Sequence, residues 1–227
     1  MIFRQLFDYD TYTYTYLIAD EASGEGVIID PVKRNLEKYL KLINELNLKL
    51  VYAIDTHVHA DHITALGELG KQTKCDTVLG KETKAKFVSV YAQEGTPIKF
   101  GNLEIHPIYT PGHTDDSYCY LLDNRIFTGD TLLIRGTGRT DFQNGSASDQ
   151  YDSIFKKLLS LPGDTLVFPA HDYNGMSMST IGEEKKFNPR LQVANKKEYI
   201  DLMNSLNLPN PKFMDIAVPA NLRLGLD

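Results

Sequence analysis

Hydrophobic and polar positions alternate along the first thirty residues of the chain, which is the spacing of a β-strand. Threonine and tyrosine take turns over 11–16, and a short apolar run over 26–29 stops at Asp30 and Pro31. The spacing then becomes helical, with apolar side chains at Leu36, Tyr39, Leu40, Ile43 and Leu46. We therefore predict strands within 1–30 and an amphipathic helix over 35–46.

The rest of the chain mixes the same two patterns. Strands are predicted over 50–54, 103–109, 117–122, 125–128 and 165–168, and helices from His62 to about Gln72, over 148–160 and over 196–206. A tight turn at 123–124 joins two of the strands, and the alternation of strand and helix is less clear through 75–91. No linker interrupts the chain, so we expect one α/β domain over 1–227, with 172–227 as an extension that packs on the core and contributes to the substrate pocket.

Composition narrows the range of functions. Hydrophobic residues make up 42% and charged residues 24% of the 227 residues, which is ordinary for a globular domain. The net charge of −6 argues against a nucleic-acid partner or a membrane-binding face, and no apolar run approaches the ~18 residues of a membrane span. The N-terminus has neither secretory nor transit character. We expect a cytoplasmic protein in which an anionic substrate would need a local cluster of arginine and lysine.

Soon after the strand over 50–54, the segment over 56–62 contains three imidazoles and a carboxylate. Neutral imidazole and carboxylate groups bind zinc, iron, manganese and nickel. Further candidates follow downstream, and Gly112 and Gly129 allow tight turns that direct the next residues, His113 and Asp130, inward. The full set of candidate ligands is His57, His59, Asp61, His62, His113, Asp130 and His171.

The order HxHxDH, then H, then D, then H resembles the metallo-β-lactamase superfamily across the core of the chain. This resemblance implies an αββα four-layer sandwich, with two sheets packed face to face and helices outside. It also implies two adjacent metal sites, which Asp130 could bridge. The first would use His57, His59 and His113, and the second Asp61, His62 and His171. Every position is filled, so a dinuclear hydrolase and a mononuclear centre both stay open.

Four further stretches look like those of the ETHE1-type persulfide dioxygenases. They are 134–143 (IRGTGRTDFQ), 168–173 (FPAHDY), 187–191 (FNPRL) and 217–223 (AVPANLR). That resemblance implies an enzyme that oxidises glutathione persulfide with O2 to sulfite and glutathione. It also implies one Fe(II) per chain, held by His57, His113 and Asp130.

The chemistry of that donor set agrees with the resemblance. A face of two histidines and one carboxylate leaves coordination positions open for a persulfide sulfur and O2. No catalytic side chain beyond the metal centre is then required. Zinc stays the alternative metal, because hydrolysis needs only a bound water of lowered pKa. The remaining candidates are expected to orient ligands and bound water: His59, Asp61, His62 and His171.

Glutathione carries two carboxylates, so a site for it needs cations. Arg190 and Arg139 are the candidates, because guanidinium pairs with carboxylate through two hydrogen bonds. Tyr173 follows His171 at the position where glyoxalase II, a glutathione-thioester relative, carries a tyrosine that contacts glutathione. Alternatively, Arg139 is structural and pairs with Asp141, and Arg190 is a surface residue at a helix end.

Two other functions stay open. A glyoxalase II-like di-zinc hydroxyacylglutathione hydrolase shares every candidate ligand, although the segment after His171 is short for that family's helical substrate domain and 134–143 fits the dioxygenases better. A non-catalytic metal-binding sulfur sensor would keep the fold without needing every ligand, and here none is missing. The family resemblance also implies a homodimer.

Overall fold

The structure, a computed structural model, describes residues 1–209 and 213–226. Its strands are β1 (Ile2–Asp8), β2 (Thr13–Ala19), β3 (Glu25–Ile29), β4 (Lys49–Ile54), β5 (Asp76–Gly80), β6 (Val90–Ala92), β7 (Ile98–Phe100), β8 (Leu103–Tyr109), β9 (Tyr118–Leu122), β10 (Arg125–Gly129), β11 (Leu166–Pro169) and β12 (Ser179–Thr180). Its α-helices are α1 (Leu36–Glu45), α2 (Leu66–Thr73), α3 (Ala147–Asp152), α4 (Ile181–Phe187), α5 (Lys196–Asn204) and α6 (Met214–Asn221). The strands form two six-stranded sheets, in the orders β1-β2-β3-β4-β5-β6 and β12-β11-β10-β9-β8-β7.

Strand β2 lies inside the first sheet, and all of its residues are buried. It pairs antiparallel with β1 and β3, so alternate side chains face opposite sides of the sheet. Tyr16 and Ile18 point into the core between the sheets, where they join Phe127 and Phe168 of the second sheet, whereas Leu17 packs under the helices. Aromatic rings bury large areas, so they contribute much of the contact between the sheets.

Helices cover the outer face of each sheet. On the first sheet, α1 buries Tyr39 and Ile43, and α2 buries Leu66 and Leu69. On the second sheet, helical residues form a separate apolar cluster that includes Ile154, Leu158, Ile181, Tyr199 and Met203. The layers run helix, sheet, sheet, helix, which confirms the predicted αββα sandwich. None of the helices in the described part of the chain has the length and apolar character that crossing a bilayer requires.

Most predicted elements are present, and their boundaries differ in informative places. The turn at 123–124 joins β9 to β10 as predicted. The helix expected from His62 begins only at Leu66, because 56–65 form an irregular segment that carries candidate ligands. The Thr64 hydroxyl accepts a hydrogen bond from the Leu66 amide where the helix begins.

Three other local departures from the predicted elements occur. The strand expected over 11–16 begins at Thr13, because Tyr12 adopts a left-handed backbone conformation with φ of 59°. The helix expected over 148–160 is irregular, since a π-helical turn over Ser153–Lys157 follows α3. Neither α4 nor α6 is predicted by the sequence pattern, and α6 contains Pro219, a residue that usually ends a helix.

The candidate ligands lie on loops that follow strands at one edge of the sandwich. The loop after β4 carries 57–62, and the loops after β8, β10 and β11 carry His113, Asp130 and His171. Because β10 and β11 run parallel, their carboxyl ends lie at the same edge. The fold thus gathers residues that are more than one hundred positions apart in the sequence.

Candidate metal centre

Three candidate ligands converge at this edge. His57, His113 and Asp130 each offer a ligand atom within 4.8 Å of the others. The rings of His57 and His113 stand nearly perpendicular, with centroids 4.9 Å apart, and His113 Nε2 is 3.6 Å from Asp130 Oδ2. The structure therefore brings together the three residues that the family resemblance assigns to Fe(II).

Hydrogen bonds fix which ring nitrogen of each histidine is free. His113 Nδ1 lies 2.7 Å from the carbonyl oxygen of Arg139, which can only accept, so Nδ1 carries the proton. Thr56 Oγ1 donates its single proton to Asp30 Oδ2 at 3.0 Å, and it therefore accepts from His57 Nδ1, also at 3.0 Å. In both rings Nε2 keeps its lone pair, which is the form that binds a metal.

The surroundings of Asp130 favour the ionised carboxylate. Burial raises the pKa of Asp130, but the neighbouring histidines, with His171 the strongest, hold it well below its usual range. Gly138 packs against the same residue, and a Cβ there would lie 2.2 Å from the Asp130 carbonyl oxygen and 2.8 Å from His113 Nδ1. Only glycine leaves room for this approach. Gly138 is therefore part of the wall of the centre.

A second cluster is formed by His59, Asp61 and His62, whose ligand atoms also lie within 4.8 Å of one another. Its nitrogens are used differently. His59 Nε2 is 3.0 Å from Asp30 Oδ1, and its Nδ1 has no hydrogen-bond partner among the described residues. Within that same part of the chain, neither ring nitrogen of the buried His62 has a partner. Burial lowers the pKa of His62 to about 4, so its ring is neutral near pH 7.

His59 lies between the two clusters. Its ring centroid is 4.2 Å from that of His57 and 4.3 Å from that of His62. The superfamily pattern implies that His59 joins His57 and His113 in the first site. Its Nε2 is held by Asp30, so Nδ1 is the nitrogen left for a metal. Burial lowers the pKa of His59, yet nearby carboxylates, with Asp30 the strongest, raise it to about 9. A metal that binds Nδ1 would have to displace its proton.

His171 links the clusters. Its Nδ1 is 2.6 Å from Asp130 Oδ1, and its Nε2 is 2.8 Å from Asp61 Oδ2. Burial lowers the pKa of His171, but these two carboxylates outweigh burial and raise it well above its ordinary value. A ring that donates from both nitrogens has no lone pair left for a metal. In this arrangement Nδ1 of His171 is engaged with Asp130 and Nε2 with Asp61.

Of the three residues expected to bind substrate, Tyr173 has an exposed side chain, and Arg190 has no carboxylate partner among the described residues. Tyr173 is 63% exposed, and its ring is parallel to that of His171 with centroids 6.3 Å apart. Arg190 donates to the carbonyl and hydroxyl oxygens of Thr137, next to Gly138, and no carboxylate of the described chain accepts from it. Burial lowers the pKa of Arg190, so an anion there would be favoured.

Arg139, unlike Arg190, already has a carboxylate partner. Its guanidinium donates to both carboxylate oxygens of Asp141, at 2.7 and 2.8 Å, and to the Pro209 carbonyl oxygen at 2.6 Å. It also lies 4.3 Å above the centre of the Phe142 ring. Arg139 thus has the structural pairing that the sequence left open, while its own carbonyl oxygen accepts from His113.

Sequence reasoning missed residues from other parts of the chain that hold the irregular segment over 56–65, called the metal loop below. Asn221 Nδ2 donates to the carbonyl oxygens of His59 and His62, at 2.8 and 2.7 Å. Its Oδ1 accepts from the Thr64 amide at 2.9 Å. Asp30 likewise holds His59 at Nε2, and the Thr13 hydroxyl lies 3.1 Å from His171 Nε2. The place of Asn221 within 217–223 was a signal, but no sequence pattern assigns it this role.

A cleft of about 330 Å³ opens beside the second cluster. Asp61 and His62 border it, and Ile63, Phe213 and Ile216 give it mostly apolar walls. This cleft reaches the carboxylate of Asp61, which His171 connects to the first cluster.

Comparisons with known proteins concern nearly the whole molecule. The sequence model of the metallo-beta-lactamase superfamily matches residues 8–171. A Mus musculus protein, "Persulfide dioxygenase ETHE1, mitochondrial", is 45% identical, covering 100% of this chain and 89% of the relative. The Homo sapiens protein of the same name is 43% identical with the same coverage. The crystal structure of ETHE1 from Myxococcus xanthus is 50% identical, covers 100% of both chains and superposes with a TM-score of 0.97.

Proposed function

The chain belongs to the ETHE1 family of persulfide dioxygenases in the metallo-β-lactamase superfamily, and we propose that it oxidises glutathione persulfide at one Fe(II). Glutathione persulfide, O2 and water give glutathione, sulfite and two protons. The terminal sulfur is oxidised and O2 is reduced, so no other oxidant is needed. The protein is then an enzyme of sulfide oxidation and detoxification.

The observation that carries the proposal is the convergence of two imidazole Nε2 atoms and one carboxylate. His57, His113 and Asp130 each offer a ligand atom within 4.8 Å of the others. The Nδ1 atoms of the two histidines already have hydrogen-bond partners. Two nitrogens and one oxygen suit Fe(II), and this donor set therefore fits the metal. When bound there, Fe(II) supplies redox chemistry and open coordination positions for a persulfide sulfur and O2.

The residues around the triad have separate tasks. His171 holds the Asp130 carboxylate through Nδ1, and the Arg139 carbonyl oxygen holds His113 through Nδ1. Both bonds keep ligand atoms in place before any metal arrives. Arg190, whose charge no carboxylate of the described residues balances, is the group we assign to a carboxylate of glutathione. Tyr173 lines the exposed side.

The decisive test compares protein loaded anaerobically with Fe(II) and the same protein loaded with zinc. We expect the iron form to consume O2 on addition of glutathione persulfide and to release sulfite in equal amount, while the zinc form does neither. Iron bound per chain is measured on the same samples. Iron-loaded protein that consumes no O2, or that yields no sulfite, contradicts the proposal.

One observation favours a second candidate, a di-zinc hydroxyacylglutathione hydrolase. His62 is buried with both ring nitrogens unpaired in the described chain, which is typical of a ligand awaiting a metal. Against it, His171 has both nitrogens committed to carboxylates. Hydrolysis of S-lactoylglutathione by the zinc-loaded protein, with two zinc ions per chain, would support this candidate.

We also propose that 1–227 form one metallo-β-lactamase-type domain, in which 172–227 pack on the core. The contacts of Asn221 with the metal loop support this extension. A homodimer and a cytoplasmic location remain predictions, and the mouse and human relatives are named as mitochondrial proteins.

A further inference from the structure

The turn between β1 and β2 contains an unusual residue. Tyr12 has φ of 59°, and its side chain is 45% exposed. A bulky residue adopts this left-handed conformation rarely, and glycine or asparagine adopts it with less strain. The ring contacts those of Phe7 and Tyr173, at 6.3 and 5.4 Å between centroids, but it is not buried, so packing in the core does not explain why a tyrosine stands there. Strained positions of this kind cluster at functional sites.

The backbone fixes the turn against the metal centre, independently of the Tyr12 ring. The Tyr12 carbonyl oxygen accepts from the Asp172 amide at 3.3 Å, and Thr13 forms a β-bridge with His171. On the other side, the Asp8 carboxylate accepts from the Thr11 amide at 3.1 Å. The backbone position of Tyr12 is therefore set by its neighbours, whatever its ring contacts.

The ring of Tyr12 extends an aromatic surface that begins at the metal centre. Its centroid is 5.4 Å from that of Tyr173, and Tyr173 lies 6.3 Å from His171, nearly parallel to it. His171 in turn bonds the metal-facing carboxylate of Asp130. Two exposed tyrosines therefore form a ledge, Tyr12 and Tyr173, that leads from the centre to solvent.

We propose that Tyr12 is a specificity-determining residue, which together with Tyr173 receives the carrier of the persulfide. The inference rests on the proposed function and adds a residue that contacts the carrier beyond its thiol-bearing part. Aromatic faces pack on methylene groups and amide planes, and the hydroxyl groups bond amides or carboxylates. Tyr12 lies two ring-to-ring steps from His171, so a single amino-acid carrier bound at the metal ends before reaching it.

The test replaces the ring without disturbing the turn. Tyr12→Gly keeps the left-handed conformation, because glycine adopts it without strain. We expect the KM for glutathione persulfide to rise roughly tenfold, which is the order of one aromatic contact. The kcat, the iron content and the KM for cysteine persulfide stay unchanged. Tyr12→Phe separates the contribution of the hydroxyl group from that of the ring.

Tyr9→Ala is the matched control, since Tyr9 lies in the same turn, is 79% exposed and packs its ring on Phe7. It leaves both KM values unchanged. The proposal is overturned by a Tyr12→Gly enzyme with an unchanged KM for glutathione persulfide. It is equally overturned if the KM rises as much for cysteine persulfide, because Tyr12 would then not distinguish one thiol carrier from another.

A binding measurement separates this inference from the proposed function. S-methylglutathione, which cannot be oxidised to sulfite, is titrated calorimetrically into the metal-loaded wild type and Tyr12→Gly. Weaker binding to the variant supports the ledge even if the wild type consumes no O2 with any persulfide. Equal Kd values, or no binding to the wild type, overturn it even if the protein is a dioxygenase.

Discussion

Two histidine–carboxylate clusters share one edge of the sandwich, and part of each comes from the same loop, yet their ring nitrogens are used in different ways. In the first cluster, the Nδ1 atoms of His57 and His113 donate outward to Thr56 and Arg139, so both Nε2 lone pairs are free. The carboxylate of Asp130 lies between them. This cluster is arranged as a set of ligands before any ion binds.

The second cluster lacks that arrangement. Only its His59 is oriented in that way, with Nε2 held by Asp30 and Nδ1 left over, and His62 has no partner to orient it in the part of the chain that the structure describes. His171, which the superfamily pattern places here, gives both nitrogens to carboxylates. The comparison teaches that the identity of a ligand residue is not enough, because the partner of its other nitrogen decides which atom remains for a metal.

The largest difference is expected between matched substitutions of the two carboxylates. Asp130→Ala removes a ligand of the first cluster, so bound iron and O2 uptake fall together to background. Asp61→Ala keeps one iron per chain and lowers kcat by about tenfold, because the hydrogen bonds that it loses, from His171 and from the Thr13 hydroxyl, do not involve a ligand of the first cluster. Iron per chain and O2 uptake are measured on both variants. If Asp61→Ala also loses the iron, the two clusters act as one dinuclear site.

A smaller effect is expected at the residue between the clusters. His171→Gln cannot hold Asp130 and Asp61 at once, so the Kd for Fe(II) rises about 10- to 100-fold, the usual cost of removing an outer partner of a ligand. Competition with a chromophoric chelator measures that Kd. His106→Gln, on the exposed side of β8, is the control and leaves it unchanged. An unchanged Kd in His171→Gln would show that Asp130 needs no support.

Much of this was predictable from local sequence. The β-patterns, the αββα layers and the set of candidate ligands follow from periodicity, composition and the superfamily resemblance, because each depends on neighbouring residues or on a motif order. The helix expected from His62 fails for a local reason, since the irregular metal loop extends four residues further. A periodic pattern cannot distinguish such a loop from the first turn of a helix.

The distribution of hydrogen bonds was not predictable, since it depends on residues that are distant in the sequence. Asn221 reaches back to the carbonyl oxygens of His59 and His62, and His171 reaches Asp61 and Asp130. No spacing rule connects such positions. Arg139 is a different case, because its pairing with the nearby Asp141 was one of two alternatives, and the fold decides between them.

The smallest effect is expected at His62, where the two clusters differ most. Its buried ring nitrogens are unpaired among the described residues, so His62→Leu removes a desolvation cost without breaking a hydrogen bond. We expect the free energy of unfolding of the metal-free protein to stay the same or rise by about 1 kcal/mol, and kcat to change by less than about twofold.

His57→Leu, in which a ligand of the first cluster is lost, is the contrasting variant and loses bound iron. Denaturant unfolding and O2 uptake check both. Loss of activity in His62→Leu with one iron still bound would mean that the second cluster takes part in turnover, and the difference in nitrogen partners would then describe only the metal-free state.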